Sequence, residues 1–155
     1  KSSEEEIFAE HHKTLLHYYR ELMPLTPNVT KTLFLLDKVY KQGLATSTVR
    51  DLAEAVLEKN QILKYFTEKV YGDEVVLGKP NPEIFIKTAQ KLKTEPKEAV
   101  VIEDSENGFK AAKSAGMFLI GFKAGHNKSC DFSLPDFVIE DLREVSVCLE
   151  KISIR

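Results

Sequence analysis

Apolar residues recur in this chain at two spacings, every third or fourth position in some stretches and in short unbroken runs in others. Ile7, Phe8, Leu15, Leu16 and Tyr19 follow the first pattern and predict a helix over residues 4–22, with Ser3 as its N-cap and Glu6 three positions on. Pro24-Leu25-Thr26-Pro27-Asn28 ends that helix and reads as a linker or hinge. Thr30 opens a second helix, and a short strand is predicted over 40–45. Thr46-Ser47-Thr48 then reads as the cap of a helix over 49–58, whose apolar face is Leu52, Ala55 and Val56. Lys69-Val70-Tyr71 is a short strand. Asn81-Pro82 starts a helix that turns Ile84, Phe85, Ala89 and Leu92 inward.

The second half alternates more plainly. A strand over 99–102 runs into Glu103-Asp104, a helix over 105–115 stops at Gly116, and residues 117–122 form an apolar run typical of a strand buried on both faces. Phe137-Val138-Ile139 is a last strand and 142–149 a closing helix. Strands alternating with helices imply right-handed crossovers and a parallel sheet.

Composition adds limits. The chain has 155 residues, enough for one well-formed core, and its net charge of −2 gives no footprint for nucleic acid or an anionic membrane. No apolar run approaches the ~20 residues that span a bilayer. The two cysteines, Cys130 and Cys148, fit no zinc spacing and are expected to stay reduced in a cytoplasmic protein. The chain opens Lys1-Ser2-Ser3-Glu4 without Met, so Lys1 is not expected to be a translation start.

Ligands of open α/β sheets bind beyond the carboxyl ends of the strands. Thr46, Asp73, Glu103 and Asp104 all follow predicted strands and are expected along one rim. Thr46 and Ser47 offer a hydroxyl and free N–H groups at a helix start, which suit phosphate. Lys79, in Gly78-Lys79-Pro80, adds positive charge, and Glu103 with Asp104 can hold Mg²⁺. Together they describe a phosphoryl site. Gly78-Lys79 lacks the upstream glycine and the Ser/Thr of a Walker loop, and no G-x-G-x-x-G is present.

Three ordered motifs carry a resemblance: Leu44-Ala45-Thr46-Ser47-Thr48, then Gly78-Lys79-Pro80-Asn81-Pro82-Glu83-Ile84-Phe85, then Ile102-Glu103-Asp104-Ser105 with Gly108 and Ala115-Gly116-Met117. The chain resembles the haloacid dehalogenase (HAD) superfamily, in its β-phosphoglucomutase-like phosphatase branch. The resemblance implies a Rossmann-like α/β core with a parallel sheet and helices on both faces. It divides the chain into a partial helical cap (1–23), a hinge (24–28) and a core (29–155). It makes Thr46 the phosphate-binding hydroxyl, helped by the Ser47 N–H, and Lys79 the lysine that neutralises phosphate and nucleophile. Asp104 becomes the direct Mg²⁺ ligand, with Glu103 as its companion.

The family's Asp-x-Asp motif, carrying the nucleophile and the general acid on a first, central strand, has no match here. Strands lie about 4.8 Å apart, so its absence implies a gap of roughly two spacings between the strands ending at Thr46 and at Asp104. The expectation is Mg²⁺-dependent phosphoryl transfer on a small phosphorylated metabolite, by a phosphatase or phosphomutase represented without its nucleophile. The missing strand would come from an N-terminal segment or a strand-donating partner chain. The alternative is a non-catalytic module that binds a phosphorylated ligand or such a partner.

Overall fold

Two parallel sheets and the helices packed on them carry the structure, a computed structural model that describes residues 3–153. Helix α1 (Glu4–His17) opens on the expected capping box, Ser3 Oγ accepting from the Glu6 N–H and Glu6 Oε2 from the Ser3 N–H. It runs into a π-helical turn at Tyr18–Leu22, so the helix expected over 4–22 changes pitch in its last turn. After Pro24, α2 (Val29–Leu36) follows Asn28, which takes the left-handed conformation at φ 66°.

The remaining elements are β1 (Gly43–Ala45), α3 (Arg50–Lys59), β2 (Glu68–Val70), α4 (Glu83–Leu92), β3 (Val100–Glu103), α5 (Glu106–Ser114), β4 (Phe118–Phe122), β5 (Phe137–Ile139) and α6 (Val145–Ser153). Strand β1 is shorter than expected: the ladder to β2 begins at Gly43, with the Gln42 carbonyl accepting the Thr67 N–H just ahead of it. Helix α5 stops where expected, at Gly116, whose φ of +73° an L side chain rarely adopts.

β1 pairs in parallel with β2, while β3, β4 and β5 form a parallel sheet in that order. β4 lies central in its sheet, with Leu119, Ile120 and Gly121 buried, as its unbroken apolar sequence requires. Successive residues of a strand face opposite sides, and the two faces bury different clusters. Val101 and Leu119 pack with Phe109 and Ala112 of α5, Ile84 and Phe85 of α4, and Val70 of β2. Ile120 and Ile139 pack with Val145 and Leu149 of α6, and with Val29 and Leu36 of α2. The chain is thus α/β with helices on both faces.

Among the described residues, no ladder joins β1–β2 to β3–β4–β5. Helix layers hold the two sheets together instead: α4 packs on β1 and β2 and also meets α5. On β3, Ile102 is left 40% exposed, a large apolar side chain wetted beside the core. Helix α1 buries none of its residues, leaving Phe8 72% exposed, and meets α3 at its surface, where His12 lies 2.8 Å from the exposed Asp51. No helix among the described residues is long and apolar enough to cross a membrane.

Candidate functional site

The carboxyl ends of β1 and β3 are tied by one side chain. Lys79 Nζ lies 2.7 Å from Glu103 Oε2 and 3.4 Å from the Ala45 carbonyl oxygen, with the Phe85 ring centroid 4.8 Å away. The Lys79 and Glu103 side chains are only 11% and 9% exposed, so this is a largely buried ion pair. It brings Lys79 and Glu103 together with Ala45, the residue before Thr46, at the carboxyl ends of β1 and β3.

The loop that presents Lys79 is held from α4. Glu83 accepts from the Val76 and Leu77 N–H groups and pairs with Lys87, and these contacts hold its carboxyl down at about 2. Asn81 Oδ1 accepts the Glu83 N–H, so α4 begins one residue later than Asn81-Pro82 implies, with Pro82 in the cap position. The Lys79–Pro80 peptide bond is cis.

Thr46 continues the β1–β2 ladder, its N–H donating to Val70 O at 3.1 Å, and its hydroxyl accepts the Thr48 N–H. Thr46 is half-buried and Ser47 exposed. The expectation that Thr46-Ser47-Thr48 caps α3 is corrected. The helix starts at Arg50, Val49 holds the cap position without a side-chain bond, and the Arg50 N–H is satisfied by Asp73 Oδ1 at 3.1 Å. Thr46 and Ser47 therefore lie on a loop before the helix rather than on its first turn.

Asp73 is thereby spent as a cap supplied from the far side of β2. Glu74 pairs with Lys91 and Arg50, which hold its carboxyl below the usual range. Neither acid bonds to Glu103 or Asp104. Above them Tyr71, fully buried, donates its hydroxyl to Glu54 at 2.7 Å, and burial together with that carboxylate pushes the phenol pKa up.

The acid pair divides its work. Glu103 Oε2 meets Lys79, and Oε1 accepts from the Ser105 hydroxyl at 2.7 Å and from its N–H at 3.2 Å. Both oxygens of Glu103 are therefore engaged within the protein. Ser105 caps α5 by accepting the Gly108 N–H, and a Cβ at Gly108 would collide with the Glu103 side chain. This close approach explains the glycine of the motif.

Asp104 points differently. Its side chain is 46% exposed, Oδ2 lies 3.0 Å from His126 Nε2, and Oδ1 has no partner among the described residues. Mg²⁺ commonly takes one or two carboxylates and completes its shell with water and phosphate oxygens. A half-exposed carboxylate with a free oxygen fits that use, while Glu103 turns its two oxygens to Lys79 and Ser105. No group of three or more His, Cys, Asp or Glu side chains able to hold a metal occurs among the described residues.

One polar residue of the rim escapes sequence reading. Asn127 is buried, donating to Asp104 O and Phe122 O and accepting from the Ala124 N–H. A lone Asn in a polar loop carries no local pattern that marks it.

The model of the haloacid dehalogenase-like hydrolases matches residues 2–122. The chain belongs to this family. A phosphorylated carbohydrates phosphatase of Thermotoga maritima is 40% identical over 107 residues, which make up 68% of this chain and 50% of that protein. The phosphoglycolate phosphatase of Escherichia coli is 31% identical over 135 residues, 83% of this chain and 54% of that protein. The chain thus spans about half the length of the curated relatives it matches. A haloacid dehalogenase-type phosphatase from Thermococcus onnurineus superposes with a TM-score of 0.78 at 31% identity, covering 89% of this chain and 64% of that one. A β-phosphoglucomutase of Clostridium difficile superposes at 0.80 over 98% of this chain and 69% of that one. Its 24% identity speaks for the fold alone.

Proposed function

We propose that the protein is a Mg²⁺-dependent phosphatase or phosphomutase acting on a small phosphorylated metabolite. The observation that carries this reading is Lys79, buried between the Ala45 carbonyl and Glu103 beside the half-exposed Asp104. A phosphoryl group placed over the rim would meet the Thr46 hydroxyl and the Ser47 N–H on one side and the Lys79 ammonium on the other. Glu103 holds that ammonium in place. Asp104 takes the metal-ligand role alone among the described acids. A bound Mg²⁺ supplies charge neutralisation for the phosphoryl oxygens.

Such a site needs a nucleophilic carboxylate. That no ladder joins β1–β2 to β3–β4–β5 among the described residues supports a position for it between β1 and β3, beside Lys79. The reading puts there a strand ending in Asp-x-Asp, from sequence before Lys1 or from a partner chain. Its first carboxylate attacks phosphorus as the P–O bond to the alcohol breaks and the second acid protonates the leaving oxygen. Water or an acceptor hydroxyl, giving its proton to that second carboxylate, then takes the phosphoryl group from the acyl phosphate. The phosphatases similar to this chain support the reaction class.

The test is turnover of a generic phosphomonoester with Mg²⁺ by the full-length protein. Asp104→Asn and Lys79→Met are each expected to lower kcat by about 100-fold or more. Undiminished turnover in Asp104→Asn overturns the reading.

A further inference from the structure

The loop after β4 grips Asp104 twice. Gly125, His126, Lys128 and Ser129 are exposed, yet Asn127 between them is only 4% exposed. A buried primary amide has two N–H donors and an acceptor oxygen to satisfy. Asn127 satisfies all three with main chain: Nδ2 donates to Asp104 O at 2.7 Å and Phe122 O at 2.9 Å, and Oδ1 accepts the Ala124 N–H at 2.7 Å.

The positions of these carbonyls matter. The β3–β4 register ends at Glu103 opposite Gly121, so Asp104 and Phe122 are the next residues beyond the ladder. A side-chain amide there stands in for the missing rung. It fixes the Asp104 peptide, and with it the direction in which the carboxylate leaves the main chain. The adjacent His126 lays Nε2 on Asp104 Oδ2 from the same loop, leaving Oδ1 open.

We propose that Asn127 is a positioning residue for the metal rim, setting the Asp104 carboxylate in the orientation that receives the divalent cation. This rests on the reading of Asp104 as the cation's ligand. Asn127 does not touch the cation, and its effect passes through the Asp104 main chain. Groups that orient a metal ligand in this way typically change affinity 10–100-fold when removed.

The experiment measures Mn²⁺ binding to the full-length protein by the loss of the free-ion EPR signal, alongside the Mg²⁺ dependence of phosphatase turnover. Asn127→Ala is expected to weaken Mn²⁺ binding by about tenfold or more. The half-saturating Mg²⁺ rises in parallel, while kcat at saturating Mg²⁺ and KM for the phosphomonoester stay near the parent values. A purely structural staple would lower the folded fraction and kcat with the metal constant unchanged, and that result overturns the proposal. If Asn127→Ala does not fold, Asn127→Ser serves, since its hydroxyl retains one donor, and weaker metal binding is again required. Asp104→Asn separates the two levels. If Asp104→Asn abolishes Mn²⁺ binding and the Asn127 variant binds normally, the positioning role fails and the metal reading stands. Unimpaired binding in Asp104→Asn overturns both.

Discussion

A buried ammonium between a carbonyl and a carboxylate is stable only while its counter-charge remains. Lys79 and Glu103 show how residue-scale chemistry departs from a motif read as a list of ligands. The adjacency of Glu103 and Asp104 makes them look like one pair, but neighbours on a strand end point apart, and only Asp104 keeps a free oxygen toward solvent. Glu103→Ala removes the partner of a largely buried charge and is expected to cost about 3 kcal/mol in urea unfolding. The double variant Glu103→Leu with Lys79→Met, which removes both charges, is expected to recover most of that loss. An equal cost in single and double variants would show that the pair is not coupled.

At the scale of elements, helices reach back to fix the loops that carry chemistry. Asp73 caps α3 from beyond β2, and Glu83 in the first turn of α4 holds residues 76 and 77, just ahead of Lys79. The pH behaviour of Glu83 follows from its partners. The Lys87 ammonium first, then the Leu77 and Val76 N–H groups, lower its pKa to about 2 from 4.5, so the unfolded chain binds the proton more readily. The stability it lends is therefore complete above about 4.5 and is lost as pH falls toward 2. Glu83→Ala is expected to melt at a lower temperature than the parent at pH 7, with the difference narrowing steadily between pH 4.5 and 2. A difference independent of pH in that window would show that these contacts do not depend on the charge.

The whole molecule is two sheets sharing one hydrophobic cluster. Val70 of β2, Phe85 of α4, Val101 of β3 and Phe109 of α5 belong to the same core, so neither sheet buries its apolar face without the other's helices. Phe109 is fully buried, its ring 5.3 Å from that of Phe132. Phe109→Ala is expected to cost about 3–5 kcal/mol through lost burial and the cavity left behind. Far-UV circular dichroism and tyrosine fluorescence should still report a single transition, because the cluster couples both sheets. Two separated transitions would mean that the sheets unfold as independent units.

The sequence by itself determined the order and type of nearly every element and the three motifs of the rim, because periodicity, cap residues and unbroken apolar runs are local properties. The Ser3–Glu6 box, the stop at Gly116 and the buried strand at 118–122 are all written within a few residues of where they act. Tertiary structure decided who partners whom. Asp73 displaced the predicted Thr46-Ser47-Thr48 cap, and Glu103 turned to Lys79. Asn127, an unmarked loop residue, became the amide that ties β3 to β4. The Asp73–Arg50, Glu103–Lys79 and Asn127–Asp104 contacts each join residues more than 20 positions apart, and a hydrogen bond between them depends on how helices stack on sheets. No local spacing encodes that distance.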